Sequence, residues 1–189
     1  MNNKESFLSI TYILSGSLLL VFNDITEGWM GKLLVIIGYI FYFIGLNKLI
    51  SGVDEVGKKG AKDLKTGIIL GIIAVIINYI PIISVISVFF YFGSFILQLI
   101  GLLKLKKSKS TGKVGAKGIK LIFIAVFIGI IQGIFSIIPF IGKSIVFAFA
   151  ILYITFLILG WINVQRGIYF KTFHKPIIRD EKEKNENNN

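Results

Sequence analysis

The sequence predicts an all-α integral membrane protein of six transmembrane helices, arranged as three parallel-oriented helical hairpins with an internal repeat of about 56 residues. Three observations carry this prediction. The 189 residues are 54% apolar and only 16% charged, with mean hydropathy +0.80, whereas soluble domains run near 45–50% and 25%. Isoleucine alone supplies 38 positions. Six apolar stretches approach the ~20 residues that a helix needs to cross a hydrocarbon core about 30 Å thick. Finally, lysine and arginine are sorted to one side of those stretches.

The expected spans are residues 6–23, 33–50, 66–80, 82–103, 121–138 and 144–163. The first resembles a signal peptide in position. However, Lys4-Glu5 is a poor basic start and no A-x-A-like site follows Asn23, so it is read as retained. The third is the shortest. At 1.5 Å per residue it rises only about 22 Å before Pro81, and full crossing is preferred over a re-entrant hairpin. The hairpins are expected near residues 6–50, 57–105 and 112–164. Residues 1–179 then form one membrane domain, and the polar segment 180–189 forms a disordered cytoplasmic tail.

Orientation follows from charge. The amino terminus, Lys48, the segments 51–65 and 104–120 and the carboxyl tail hold 19 of the 21 basic residues, and the opposite side holds only Lys32 and Lys143. Cytoplasmic loops retain Lys and Arg, so both termini are expected in the cytoplasm. The net charge of +11 then needs no nucleic-acid partner. The Lys/Ile/Asn bias points to a bacterial cytoplasmic membrane.

Two kinds of self-similarity support the repeat. Residues 57–65, GKKGAKDLK, align with 112–120, GKVGAKGIK, with six identities in nine; residues 44–49 align with 100–105 with five in six. Prolines also mark the second and third hairpin turns, at Pro81 and Pro139. Self-similarity at a fixed period is the mark of stacked supersecondary units. Each unit holds two helices, so the repeats are expected to be parallel about an axis along the membrane normal. The count of three hairpins is similar to that of mitochondrial carriers, but no acidic-then-basic sequence follows either proline, so no family is assigned.

Gly38 and Gly45 on the second helix, Gly67 and Gly71 on the third, and Gly129 and Gly133 on the fifth are expected to let helix backbones approach closely. A homodimer face is the alternative use of these glycines. Trp29, Tyr79, Trp161 and Tyr169 are expected in interfacial belts. Tyr39, Tyr42, Tyr91 and Tyr153 fall mid-span, where a phenol wants a hydrogen-bond partner.

No Asp, Glu, Lys, Arg or His lies deep in any span, which argues against proton pumps and carboxylate chemistry in the membrane. The intramembrane polar set is therefore Tyr39, Asn78, Tyr91, Gln98, Gln132 and Tyr153 with scattered Ser and Thr. These side chains serve either as interhelical clasps or as a site for a neutral polar ligand. With no cysteine and one histidine, His174, a zinc site or disulfide scaffold is excluded. Gly112-Lys113 is not a P-loop, because Lys107 replaces the first glycine and Val114 the Ser/Thr. Neither catalytic residues nor a cofactor or metal are expected.

Lys58, Lys62 and Lys65 recur at helical spacing, as do Lys113, Lys117 and Lys120. Their plain role is topology; their functional role is contact with anionic lipid headgroups. The leading expectation is a non-enzymatic packed membrane module acting through lipid or protein contacts, with the bilayer and a second copy of the chain as partners. The alternative is a facilitator or channel for a small neutral solute.

Overall fold

The computed structural model describes the backbone of residues 3–23, 29–78, 80, 82–136 and 142–186, and the side chains of 8–21, 29–31, 33–78, 80, 82–132, 135 and 145–169. The described residues form six helices and no strand: α1 (Asn3–Asn23), α2 (Trp29–Gly52), α3 (Glu55–Asn78), α4 (Ser84–Lys107), α5 (Gly112–Ser136) and α6 (Gly142–Glu186). The assigned helix of α6 thus reaches into the segment expected to be a disordered tail. Pro81, Pro139 and Tyr79 lie outside the described residues.

Among the described residues, four helices, not the expected six, are long and apolar enough to cross a membrane. They are Trp29–Gly52, Ser84–Lys107, Gly112–Gln132 and Ile145–Tyr169. In α1 the residues whose side chains are described, Leu8–Val21, form a shorter apolar helix. In α3 the reason is charge. Its 24 residues have the length, but Lys58, Lys59, Lys62, Asp63 and Lys65 occupy the first three turns. The remaining apolar part rises only about 20 Å.

The segments 51–65 and 104–120 are mostly helix, not loop. Only Val53–Asp54 separates α2 from α3, and only residues 108–111 separate α4 from α5. Glycines at 57, 60, 115 and 118 look like loop residues because glycine weakens an isolated helix by roughly 1 kcal/mol relative to alanine. Here they sit buried inside helices, Gly60 and Gly118 against a neighbouring helix backbone and Gly57 and Gly115 chiefly against side chains.

The close approach takes the same form in all three hairpins. A Cβ built on Gly45 of α2 would lie 2.6 Å from the Ser9 carbonyl oxygen and 2.7 Å from the Ile13 nitrogen of α1. On Gly101 of α4 it would lie 2.7 Å from the Gly60 oxygen and 2.9 Å from the Leu64 nitrogen of α3. On Gly160 of α6 it would lie 2.9 Å from the Gly118 oxygen and 3.1 Å from the Ile122 nitrogen of α5. One and four residues after each contact glycine come buried apolar side chains: Leu46 and Leu49, Leu102 and Leu105, Trp161 and Val164. The facing helices bury Ile10 and Ile13, Ala61 and Leu64, and Ile119 and Ile122 at the same steps.

This geometry corrects the register of the sequence comparison. The motif match pairs Gly60 with Gly115, but the helix crossing pairs Gly60 with Gly118. Glycines at 112, 115 and 118 are three residues apart, so the motif also fits one step out of register, though with four identities in nine instead of six. Between hairpins, α2 packs on α3, α4 on α5, and α6 on α1, which closes the six helices into a ring. One apolar core runs through it, with members from every helix.

Two substitutions test the crossing. Gly101→Ala should destabilise the protein by about 1–3 kcal/mol, because its Cβ meets backbone that cannot yield. Gly93→Ala on the same helix meets only the Leu70 side chain at 3.4 Å, and should stabilise by roughly 0.5–1 kcal/mol through helix propensity. Thermal unfolding of the detergent-purified variants reads both; shifts of the same sign would contradict the crossing.

Candidate functional site

Two places gather polar side chains: the middle of the bundle and the basic end where α2–α3 and α4–α5 turn.

In the middle, small residues recur every seven positions on the second helix of the first two pairs. On α2 these are Gly31, Gly38, Gly45 and Gly52, and on α4 they are Ser87, Ser94 and Gly101, with Ser108 directly after its end. The serines add bonds that glycine cannot make. Ser94 Oγ donates to the Gly67 carbonyl of α3 at 2.7 Å, and Gln98 Nε2 donates to Ser94 Oγ at 3.0 Å. Gly67 and Gly71 therefore face α4, with the Tyr39 hydroxyl also 3.2 Å from a Cβ on Gly71. Gly38 packs on Gly16, and Gly129 packs on the Tyr153 ring. The surroundings of Gly133 lie outside the described residues.

The mid-span tyrosines come together in pairs. Tyr39 lies within electrostatic range of Tyr91, and Tyr42 within range of Tyr153. The Tyr42 hydroxyl pairs with that of Ser17, whose own hydrogen goes to the Ile13 carbonyl at 2.8 Å. Tyr91 is exposed on the outer surface, while Tyr39 and Tyr153 are half-buried. Asn78 is exposed and accepts a long 3.5 Å bond from Ser87. Gln132 is half-buried near the end of α5.

Trp161 departs from its expected place in an interfacial belt. It is 1% exposed and meets Tyr42 edge-on with centroids 6.4 Å apart. Trp29 and Tyr169 are exposed. Among the described residues, Trp161 Nε1 and Thr111 Oγ1 are buried without a hydrogen-bond partner, an arrangement that costs about 1–3 kcal/mol each.

At the basic end, one carboxylate organises the turns. Asp54 Oδ1 accepts from the Gly57 N–H at 2.8 Å, capping α3, and from the Ser108 hydroxyl at 2.8 Å. Its Oδ2 accepts from the Lys109 N–H at 2.6 Å and the Ser110 N–H at 3.3 Å. The Asp54 N–H donates in turn to Ser110 Oγ at 2.8 Å. Partial burial pushes the carboxyl's pKa up, but the hydrogen bonds from Gly57, Ser108, Lys109 and Ser110 outweigh it and hold the group below its usual 3.8.

The candidate lysines occupy different settings. Lys58 pairs with Glu55 at 2.7 Å, which helps hold the Glu55 carboxyl below its ordinary range. Lys65 lies over the Phe43 ring at 4.5 Å. Lys62, Lys113, Lys117 and Lys120 are exposed. Lys104 of α4 pairs with Asp63 of α3, and Lys48 lies over Tyr12 at 5.1 Å. No group of three His, Asp or Glu side chains converges to hold a metal among the described residues.

Sequence reasoning passed over Asp54, Ser94, Ser108 and Ser110. An aspartate directly before a helical run is a capping signal, and serines in the seven-residue register of Gly101 mark the α4 contact stripe. Reading 51–65 as loop hid the first signal, and searching for glycine alone hid the second.

Asp54→Asn should lower stability by about 1–2 kcal/mol at neutral pH, since hydrogen bonds to a charged acceptor are worth roughly 1.5–3 kcal/mol and the amide retains part of them. The carboxyl's pKa is lower in the fold than in the unfolded chain. Its contribution is therefore complete above the unfolded value near 3.8 and is lost as pH falls through the folded value. Unfolding curves from pH 7 down to pH 3 should show the wild-type advantage constant above about pH 5 and shrinking below pH 4. An advantage that grows on acidification would refute the clasp. Compared with family models, curated proteins and solved structures, the chain matches none.

Proposed function

We propose that this protein is a non-enzymatic, multi-pass membrane module of six spans. Its three hairpins are parallel repeats about an axis along the membrane normal, and both termini are cytoplasmic, in a bacterial cytoplasmic membrane. The observation that carries this reading is the outward apolar surface. Val85, Phe89 and Phe92 of α4 are 72%, 75% and 64% exposed, and Phe127 and Phe147 are 64% and 62% exposed. Contiguous apolar surface on this scale calls for a lipid or protein partner. The bilayer is the first partner, with a second copy of the chain as the other candidate.

The short α3 fits six spans if its lysine turns sit at headgroup level. Aliphatic lysine stems then cover the apolar boundary while the ammonium groups reach water, and modest local thinning of the bilayer accommodates the rest. The three equivalent glycine crossings and the closed ring support the repeat. The bonded Ser94–Gln98 pair and the Tyr42–Ser17 pair support a packed, dry interior.

A second reading is a facilitator for a small neutral solute. The gathering of Tyr39 with Tyr91 and of Tyr42 with Tyr153 favours it, since these phenols and Gln98 offer donors and acceptors without fixed charge.

The native chain has no cysteine, so single cysteines report cleanly. Cysteines at Tyr39, Gln98, Gln132 and Tyr153 should resist a membrane-impermeant thiol reagent from both sides, as should Tyr91 on the lipid face. Lys113→Cys should react from the cytoplasmic side and Glu27→Cys from the other. Labelling at the mid-span positions would replace the packed module with the facilitator. Labelling of both controls from one side would overturn the topology.

A further inference from the structure

We infer that the outer face of α5 is a binding site for anionic phospholipid headgroups, formed by Lys113, Lys117 and Lys120, and that the matching lysines of α3 are not. This rests on the membrane reading above and names the partner within it.

The carboxylates are unevenly distributed. Among the residues whose side chains are described, the acids are Asp54, Glu55 and Asp63, all on α3 or at its start, and each is engaged. Asp54 caps α3, Glu55 holds Lys58, and Asp63 holds Lys104. Lys65 is further occupied by the Phe43 ring. Of the four α3 lysines, Lys58 and Lys65 are thus engaged within the protein, while Lys59 and Lys62 are exposed beside the three carboxylates.

The start of α5 has no such compensation. Lys113, Lys117 and Lys120 are exposed and meet no carboxylate among the described residues. The side chains described on the elements packed on α5 bring more positive charge, with Arg166 on α6 and Lys106 and Lys107 at the end of α4, and no acid among them. The helix start itself carries partial positive charge from unsatisfied N–H groups, which disfavours cations and favours an anion. In α3 the Asp54 carboxylate meets that need. In α5 the residue before the helix is Thr111, whose hydroxyl has no partner.

Position selects a lipid. Lys113, Lys117 and Lys120 share one narrow face and span about 10 Å along the axis. The same face continues into Ile124 and Phe127, 44% and 64% exposed. A ligand lying along it meets three ammonium groups and then apolar side chains, which is the order of a phosphate headgroup and its acyl chains. A free phosphate would use only the first part.

The test uses the full chain in phosphatidylcholine vesicles with spin-labelled phosphatidylglycerol or phosphatidylcholine. The ratio of their motionally restricted fractions gives the preference. The wild type should prefer the anionic lipid by about fivefold, a conservative figure for three well-placed lysines. The triple Lys113→Gln, Lys117→Gln, Lys120→Gln variant should lose that preference, and the triple Lys→Arg variant should keep it. The triple Lys58→Gln, Lys62→Gln, Lys65→Gln variant should stay within about twofold of wild type. Equal losses in both glutamine triples would overturn the assignment to α5, as would an unchanged α5 triple. Loss of the preference in millimolar inorganic phosphate, with phosphate bound equally in detergent, would assign the site to free phosphate and overturn the lipid. Extraction of the wild type from vesicles by alkaline carbonate is a separate readout. It would fail the membrane reading, whereas retained protein without lipid preference fails only this inference.

Discussion

Everything in this fold depends on two backbones meeting where a side chain would keep them apart. Between helices in lipid there is no hydrophobic gain, and association relies on close packing and interhelical hydrogen bonds. Gly45, Gly101 and Gly160 each supply such a meeting, and the partner atoms are the same carbonyl and amide four residues apart in every hairpin. Large side chains then close over each crossing: Leu46, Leu102 and Trp161. Trp161 is the odd member, and the largest. Its placement at an otherwise leucine position explains why an indole donor ends up buried without an acceptor.

Charge at the basic end is organised by a second principle. The turns are short enough that Asp54 reaches both of them, and it gathers three backbone N–H groups and a hydroxyl. This joins the second hairpin's beginning to its end and to the start of the third. It also consumes the local negative charge. Hairpin two engages its carboxylates internally, while hairpin three presents its lysines outward.

The six helices were legible in the sequence because apolar runs separated by basic or proline-bearing segments leave few alternatives. Their limits were not. Glycine and lysine in 57–65 read as loop, whereas the chain uses glycine there for contact and lysine for the solvated face of a continuing helix. Among the described residues four helices have the length and apolarity to span, and α3 is not one of them because a helix can be fully formed while half of it is charged. The glycines at 38, 45, 67, 71 and 129 lie where other backbones or rings approach. Ser94 does the same work, but with a hydroxyl that gives no signal in a search for glycine. Tyrosine pairing was likewise out of reach, because helical spacing places a residue on a face without saying which other face it meets.

The short apolar part of α3 bears on how the chain is inserted during synthesis. Each Lys or Asp at the centre of a span opposes translocon-mediated insertion by about 2.5–3.5 kcal/mol. A segment that begins with four lysines and an aspartate is therefore a poor substrate as it emerges from the ribosome. Its partner α4 is strongly apolar, and it carries the glycine, serine and lysine that meet Gly60, Gly67 and Asp63. In a bilayer, α3 would enter most readily after α4 is made, the two together as a closed hairpin.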